Sequence, residues 1–290
     1  MMTFASILDS QKQETNIRLH FGVVNNFSIE NMLKIYLLRE RIRSDVEFNF
    51  YNAKKAEKDF KGIHPKGNAL CARLLLPELL PNDVERLIIF DTGDALILRD
   101  LSEMYNWNMK NKIYLGVLDP FYHKYGNISK KTMDIYINVG NYLIDVRKVK
   151  KYKMYNKFFK NKNEYRSSIV ADQDLLNDVA NGKIGYMPMK FGMIGPFTND
   201  KESDKPPYKT FYTFLGKTQY FKKYPFLPKD RNEMNLQAYN PFVIHQWNGK
   251  WAAGSGLTIY RRIAQYYIKY AGIWDEMCQK LPGFCEKNEF

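Results

Sequence analysis

The stretch Leu87-Ile88-Ile89-Phe90-Asp91-Thr92-Gly93-Asp94 decides how this chain is read, because an apolar run ends abruptly in two carboxylates flanking a glycine. A short apolar run bounded by a turn signal reads as a buried strand. Strand ends in open α/β sheets are where ligands bind, and two carboxylates there can hold a hard divalent cation while leaving positions for phosphate oxygens. Taken alone, the same residues read more readily as a solvated turn after a core strand. The remainder of the sequence separates the two.

Working outward, strand-like and helix-like segments alternate. Arg18 to Val24 reads as a first strand, and Ile29 to Ile42 as a helix with apolar positions at helical spacing and Ser28 as its N-cap. Val46 to Tyr51 is a second strand, Asn68 to Leu76 a helix stopped before Pro77, Arg86 to Asp91 a central strand, and Lys112 to Leu118 another. Tyr136 to Val146 is interrupted by Asn138-Val139-Gly140-Asn141 and reads as two strand pieces with a bend. Arg147 to Lys160 reads as one basic, aromatic-rich helix, and Asp172 to Val179 as a short one. This α/β order predicts a mostly parallel central sheet flanked by helices, with a loop-rich C-terminal portion.

With 290 residues, 45% of them hydrophobic and 15% aromatic, the chain can bury a full core. It has no unbroken apolar stretch of about 18 residues, and Met1 to Glu14 lacks the charged start and apolar block of a signal peptide, so no transmembrane segment is expected. The net charge of +13 suits an anionic partner: a nucleotide, a phosphorylated acceptor or an acidic membrane face, which leaves peripheral membrane contact open. Nucleic acid is not expected, since zinc-finger spacing, an RNP-like aromatic signature and a disordered arginine-rich arm are all missing. Cys71 reads as a small core residue; Cys278 and Cys285 could pair or stay reduced, and the compartment stays open between cytosol and secretory lumen.

Five blocks carry a specific resemblance. They are Ala72-Arg73-Leu74-Leu75-Leu76-Pro77-Glu78; Phe90 to Asp94 followed by Arg99-Asp100-Leu101; Ile137-Asn138-Val139-Gly140 with Leu143-Ile144-Asp145; Asp172-Gln173-Asp174-Leu175-Leu176-Asn177; and His245-Gln246-Trp247-Asn248-Gly249-Lys250-Trp251. In this order, over about residues 18 to 251, the chain resembles the retaining glycosyltransferases of family 8, the group that includes glycogenin and bacterial lipooligosaccharide galactosyltransferases. The resemblance implies the GT-A fold of nucleotide-diphospho-sugar transferases. Residues 1–17 would be an N-terminal extension, 18–256 the glycosyltransferase domain with an acceptor-side loop-rich region at about 187–241, and 257–290 a helical tail.

The resemblance also implies chemistry. The donor would be a UDP-sugar giving up a hexose or pentose, the acceptor a hydroxyl on an unidentified glycan, protein or lipid, and the cofactor Mn²⁺ or Mg²⁺ bridging the diphosphate. Cleaving the anomeric bond develops negative charge on the leaving diphosphate, which a cation stabilises. Asp91, Asp94 and His245 would be the metal ligands, an imidazole beside two carboxylates suiting Mn²⁺ better than Mg²⁺. Donor contacts would come from Val24, Asn25, Asn26, Arg73, Asp91, Thr92, Gly93, Asp94, Asn138, Gly140, Gly249 and Lys250, with Lys250 on the phosphate. Asp172 and Gln173 would act at the sugar's reacting face by electrostatics and positioning, through either a covalent intermediate or attack from the leaving-group side.

The chain departs from the family pattern in three places. Thr92-Gly93 puts two residues between the aspartates where the family has one, so recovering the second ligand needs a tighter turn, which Gly93 permits. Val24-Asn25-Asn26 replaces the family's base-contacting acid, and Gly249-Lys250-Trp251 is a compressed C-terminal motif. The alternative function is a catalytically inactive sugar-nucleotide or glycan-binding protein on the same scaffold.

Overall fold

Capping and hydrophobic spacing set the first half of the chain. In the computed structural model, which describes residues 1–24, 27–63, 68–119, 136–166, 168, 170–194, 241–245, 258–272, 275 and 278–279, helix α1 (Met2–Ser10) precedes strand β1 (Arg18–Val23), helix α2 (Ile29–Ile42) and strand β2 (Glu47–Asn52). Ser28 caps α2 as expected, its side chain accepting from the Asn31 amide. Helix α3 (Lys54–Asp59) leads, through a 3₁₀ turn at Asn68–Cys71, into α4 (Ala72–Leu79).

Pro77 lies inside α4 and does not stop it. Proline leaves the Arg73 carbonyl without its helical donor, but Leu74, Leu75, Leu76 and Pro77 are all buried, and that packing overrides the local penalty until Leu80 turns extended. Cys71 is a buried free thiol, its pKa pushed up to about 12 by burial and by Asp172. Cys278 is disulfide-bonded, and Cys285 lies outside the described residues.

The central strands are β3 (Arg86–Phe90), β4 (Ala95–Ile97), β5 (Tyr114–Leu118), β6 (Ile137–Asp145), β7 (Ile184–Tyr186), β8 (Met193–Ile194) and β9 (Val243–His245), with a short helix α5 (Ser102–Tyr105) between β4 and β5. They form a four-stranded sheet ordered β3-β6-β5-β7 and a three-stranded sheet ordered β4-β9-β8, beside the pair β1-β2. The α/β architecture is the expected one, but the expected mostly parallel pairing is corrected. β1–β2, β5–β7 and β8–β9 are parallel, while β6 runs antiparallel to both β3 and β5, and β4 antiparallel to β9. Apolar periodicity reports burial and not direction, so the reversal of β6 was invisible to it.

β6 is also one continuous strand where a bend was expected; the irregularity falls on its partner, between Gly116 and Leu118 of β5. Asn138 and Asn141 are buried strand residues with bonded side chains, not turn residues. The basic segment after β6 is likewise two helices, α6 (Val146–Lys151) and α7 (Met154–Asn161). Val149 and Met154, both buried, are one residue too far apart to share a helical face, and Lys153 at φ +49° resets the phase. Helix α8 (Ala171–Val179) follows, and α9 (Thr258–Tyr270) lies near the chain end.

The N-terminal residues are part of this core. Met2 to Leu8 are all buried, and Asp9 accepts from the Tyr267 hydroxyl of α9 at 2.8 Å. Most of the loop-rich region expected at 187–241 lies outside the described residues. Among the described residues no helix is long and apolar enough to cross a membrane.

Candidate active site

Asp91 is delivered by the C-terminal end of β3, where its amide donates to the Gly140 carbonyl of β6 at 2.7 Å. The chain then turns tightly: the Asp94 and Ala95 amides both reach back to the Asp91 carbonyl, at 3.3 and 3.2 Å, with Gly93 at φ +99°. A left-handed residue at the tip is what glycine permits at least cost. β4 leaves this turn and pairs with β9 so that Ala95 lies opposite His245. The turn and that pairing bring Asp91 and His245 together, 154 residues apart in sequence, with Oδ2 and Nε2 at 3.6 Å.

Gly140 makes room for this contact. A Cβ there would lie 2.0 to 2.5 Å from three atoms of the His245 ring. The imidazole is 2% exposed, and neither ring nitrogen has a hydrogen-bond partner among the described residues. A buried imidazole without partners is expensive. Beside a carboxylate, it is the donor set a divalent cation would satisfy.

Arg73, on the first turn of α4, stands on the other side of Asp91. Its guanidinium bonds the Asp91 carboxylate, donates to the carbonyls of Leu70 and Val139, and lies 3.4 Å from Asp172 Oδ2. Burial opposes ionisation of Asp91, but Arg73 and His245 outweigh it and hold the carboxyl below its usual value. Burial likewise opposes the charge on Arg73, and Asp91 and Asp172 reverse that effect and raise its pKa.

The opposite wall comes from β5, β6 and α8. Asn138 donates to Asp119 at 3.0 Å and accepts from the Gly140 amide at 2.8 Å. Gln173 accepts from the Val139 amide at 3.1 Å and donates to Asp119 at 2.8 Å and the Tyr136 hydroxyl at 3.2 Å. Tyr136 in turn donates to Asp174, as does Ser168, both at 2.5 Å. Asn177 spans the amide and carbonyl of Ile137. Burial pushes the Asp174 carboxyl up and the Tyr136 phenol well up.

A cleft of about 1540 Å³ opens onto both walls and is lined by Val24, Arg73, Asp91, Thr92, Asp94, Asn138, Gly140, Asp172, Gln173 and His245. Most residues singled out from sequence are therefore gathered around one space. Asp94 lines it too, but among the described residues no three histidine, cysteine or acidic side chains form a ready metal-binding group. Asn25, Asn26, Gly249 and Lys250 lie outside the described residues.

Sequence reasoning missed Asp119, Tyr136 and Asp174, along with Thr3, whose hydroxyl accepts from the Gly93 amide at 3.0 Å. Asp119 carried a usable signal, for it ends the apolar run Tyr114 to Leu118 just as Asp91 ends Leu87 to Phe90. Thr3 carried none, because its partner is 90 residues away.

The family model for glycosyl transferase family 8 matches residues 1–213. This chain belongs to glycosyltransferase family 8. Among solved structures it is similar to the apo form of the WbbM bifunctional glycosyltransferase, with TM-score 0.71 and 15% identity over 97% of this chain. It spans 49% of that protein. The galactosyltransferase LgtC, in complex with donor and acceptor sugar analogues, gives TM-score 0.64 at 17% identity over 97% of this chain and 96% of that one. GlyE of Streptococcus pneumoniae TIGR4 gives 0.55 at 13% identity over the whole of this chain and 62% of that one. These likenesses establish the GT-A fold. No curated protein sequence matches the chain.

Proposed function

We propose that this family 8 glycosyltransferase transfers a hexose or pentose from a UDP-sugar with retention of configuration, using Mn²⁺ or Mg²⁺ at the Asp91 and His245 pair. The observation that carries this reading is the buried imidazole whose two nitrogens have no hydrogen-bond partner among the described residues, with Nε2 3.6 Å from a carboxylate kept ionised by its surroundings. Asp91 and His245 would hold the cation, and Asp94, on the same turn, is the candidate third ligand. When bound, the cation neutralises charge on the departing diphosphate.

The chain's own groups supply the rest. Arg73 orients Asp91 and Asp172 together, so that one cation fixes the carboxylates at the two sides of the cleft. Asp172, which lines the cleft, would contribute negative charge to an oxocarbenium-like centre. Gln173 positions, its amide engaged with Val139, Asp119 and Tyr136. Lys250 is assigned to the leaving diphosphate on its motif alone. The acceptor is a hydroxyl on a glycan, protein or lipid.

The test is thermal stability in UDP with and without Mn²⁺. Without a cation, Asp91 and Asp94 face phosphates of like charge. Nucleotide at about a hundred times its dissociation constant should add roughly 2.7 kcal/mol when Mn²⁺ is present and little when it is absent. An equal shift under both conditions overturns the metal bridge. Metal-dependent binding without hydrolysis of any UDP-sugar would assign the chain to the inactive, sugar-nucleotide-binding alternative.

A further inference from the structure

The free edge of β4 is covered by a helix instead of a strand. On its other edge β4 pairs with β9, and just beyond it the Leu98 amide donates to the Phe242 carbonyl at 2.9 Å. The odd-numbered backbone groups face α1, where side chains meet them in order. Thr3 takes the Gly93 amide at 3.0 Å and gives to the Ala95 carbonyl at 2.6 Å; Ser6 takes the Ile97 amide at 3.1 Å. Gln11, just past the helix, gives to the Arg99 carbonyl at 3.2 Å and takes the Leu101 amide at 2.7 Å. All three side chains are buried.

We infer that Thr3 is a positioning residue for the donor site, its hydroxyl fixing the Asp91 to Asp94 turn in the shape that presents the carboxylates to the cation. This rests on the metal reading above. The turn's inner amides, those of Asp94 and Ala95, close on the Asp91 carbonyl, so the turn curls on itself without help. What that does not fix is the orientation of the peptide before Gly93, which is free to flip at a residue with φ +99°. Thr3 holds it from outside. One hydroxyl bonds the amide before Asp94 and the carbonyl after it, clamping both sides of the residue whose placement is made unusual by the extra residue in the motif.

Threonine suits the task, because a β-branched side chain in a helix has few rotamers and its hydroxyl can donate and accept at once. Ser6, one turn on, makes a separate contact with β4, accepting from the Ile97 amide while donating to the Thr3 carbonyl at 2.8 Å. α1 is thus a splint whose first turn ends at the site.

The experiment compares Thr3→Val, Thr3→Ser and Ser6→Ala with the wild type in Mn²⁺ titrations followed by electron paramagnetic resonance of the free ion, alongside melting temperature. Thr3→Val and Ser6→Ala should both lower the melting temperature, the first leaving the part-buried Gly93 amide and the buried Ala95 carbonyl without the hydroxyl, the second the buried Ile97 amide. Only Thr3→Val should weaken Mn²⁺ binding, by roughly tenfold, as loss of an outer-shell partner does. Thr3→Ser should restore it. In donor hydrolysis, Thr3→Val should need more Mn²⁺ for half-maximal rate while keeping most of the rate at saturation.

Unchanged Mn²⁺ affinity in Thr3→Val overturns the inference, and so does equal weakening in Ser6→Ala, which would mean general loosening. A wild type that binds no Mn²⁺ brings down this inference together with the metal reading; binding in the wild type that is indifferent to Thr3 brings down this inference alone. If Thr3→Val does not fold, amide exchange in the wild type decides. Gly93 should be as protected as Ile97, and Gly93 exchanging at the open-chain rate overturns the inference.

Discussion

On the β6–α8 side of the cleft, Asp119, Asn138, Gln173, Tyr136 and Asp174 are buried and bonded to one another. On the β3–β9 side, a carboxylate and an imidazole face each other at 3.6 Å, and both ring nitrogens lack partners among the described residues. The first wall is finished without a ligand, and the second is not. Satisfied buried networks hold geometry, whereas an unsatisfied polar cluster in a cleft is where a ligand gains most by arriving. Arg73 joins the two, reaching Asp91 on one side and Asp172 and the Val139 carbonyl on the other. The difference predicts that substitutions in the second wall cost activity, and that those of Tyr136 and Asp174, which support the first from behind, cost stability.

The sharpest way to break this comparison is Asp91→Asn. It keeps side-chain volume and removes the charge, so transfer and UDP-sugar hydrolysis should fall together, by about 100-fold or more. Arg73 keeps Asp172 as a partner, so the stability loss should stay below the ~3–5 kcal/mol typical of a stranded buried charge. Measuring both rates and the denaturation midpoint checks it. A variant that unfolds while its residual folded fraction keeps full turnover would invert the roles of the walls.

Gly140→Ala comes next, for it acts on the seam. The new Cβ would sit 2.0 Å from His245 Cε1, so the ring must leave its place opposite Asp91. Overpacking of this kind costs about 1–3 kcal/mol, and Mn²⁺ affinity should fall with it. Mn²⁺ binding that survives would remove His245 from the ligand set.

In the first wall, Tyr136→Phe deletes the hydroxyl that Asp174 and Gln173 share. A buried carboxylate losing one donor should cost about 1–3 kcal/mol in chemical denaturation, while the dissociation constant for UDP with Mn²⁺ stays put. Unchanged stability with weakened nucleotide binding would show that this wall, too, is completed by ligand.

Sequence alone made much of this legible, for identifiable reasons. Ser28 and the spacing of Ile35 and Leu38 announced α2, and the strand-end carboxylates pointed to the cleft that holds the candidate site, because capping and burial are local signals. Arg73, Asp91, Asn138, Asp172 and His245 could be placed together only through the family resemblance; no local signal joins residues so far apart. What stayed hidden depends on tertiary pairing. The reversal of β6, the persistence of α4 through Pro77 and the break at Lys153 were each decided by what the segment packs against. The Thr3 hydroxyl was beyond reach for the same reason.

Asp100 lies beyond both walls, at the far end of the α1 splint, and gives the smallest effect. Its carboxylate accepts from the Lys12 amide, the Thr15 hydroxyl and the Ser102 amide. Burial works against its charge, but these donors prevail and lower its pKa to about 2 from 3.8. A depressed folded-state pKa means stability that is present above the unfolded value and lost as pH falls through the folded one. The contribution should therefore be whole at pH 7 and disappear between about pH 4 and pH 2, amounting to about 1 kcal/mol once partial exposure is allowed for. Asp100→Asn should be less stable than wild type by that amount at neutral pH, with the gap closing across this acid window, and turnover should hardly move. A gap that persists unchanged at pH 2 would assign the loss to packing and not to charge. A large fall in turnover would mean that disturbing the splint at its remote end is felt at Asp91, and the separation between the cleft and its support would fail.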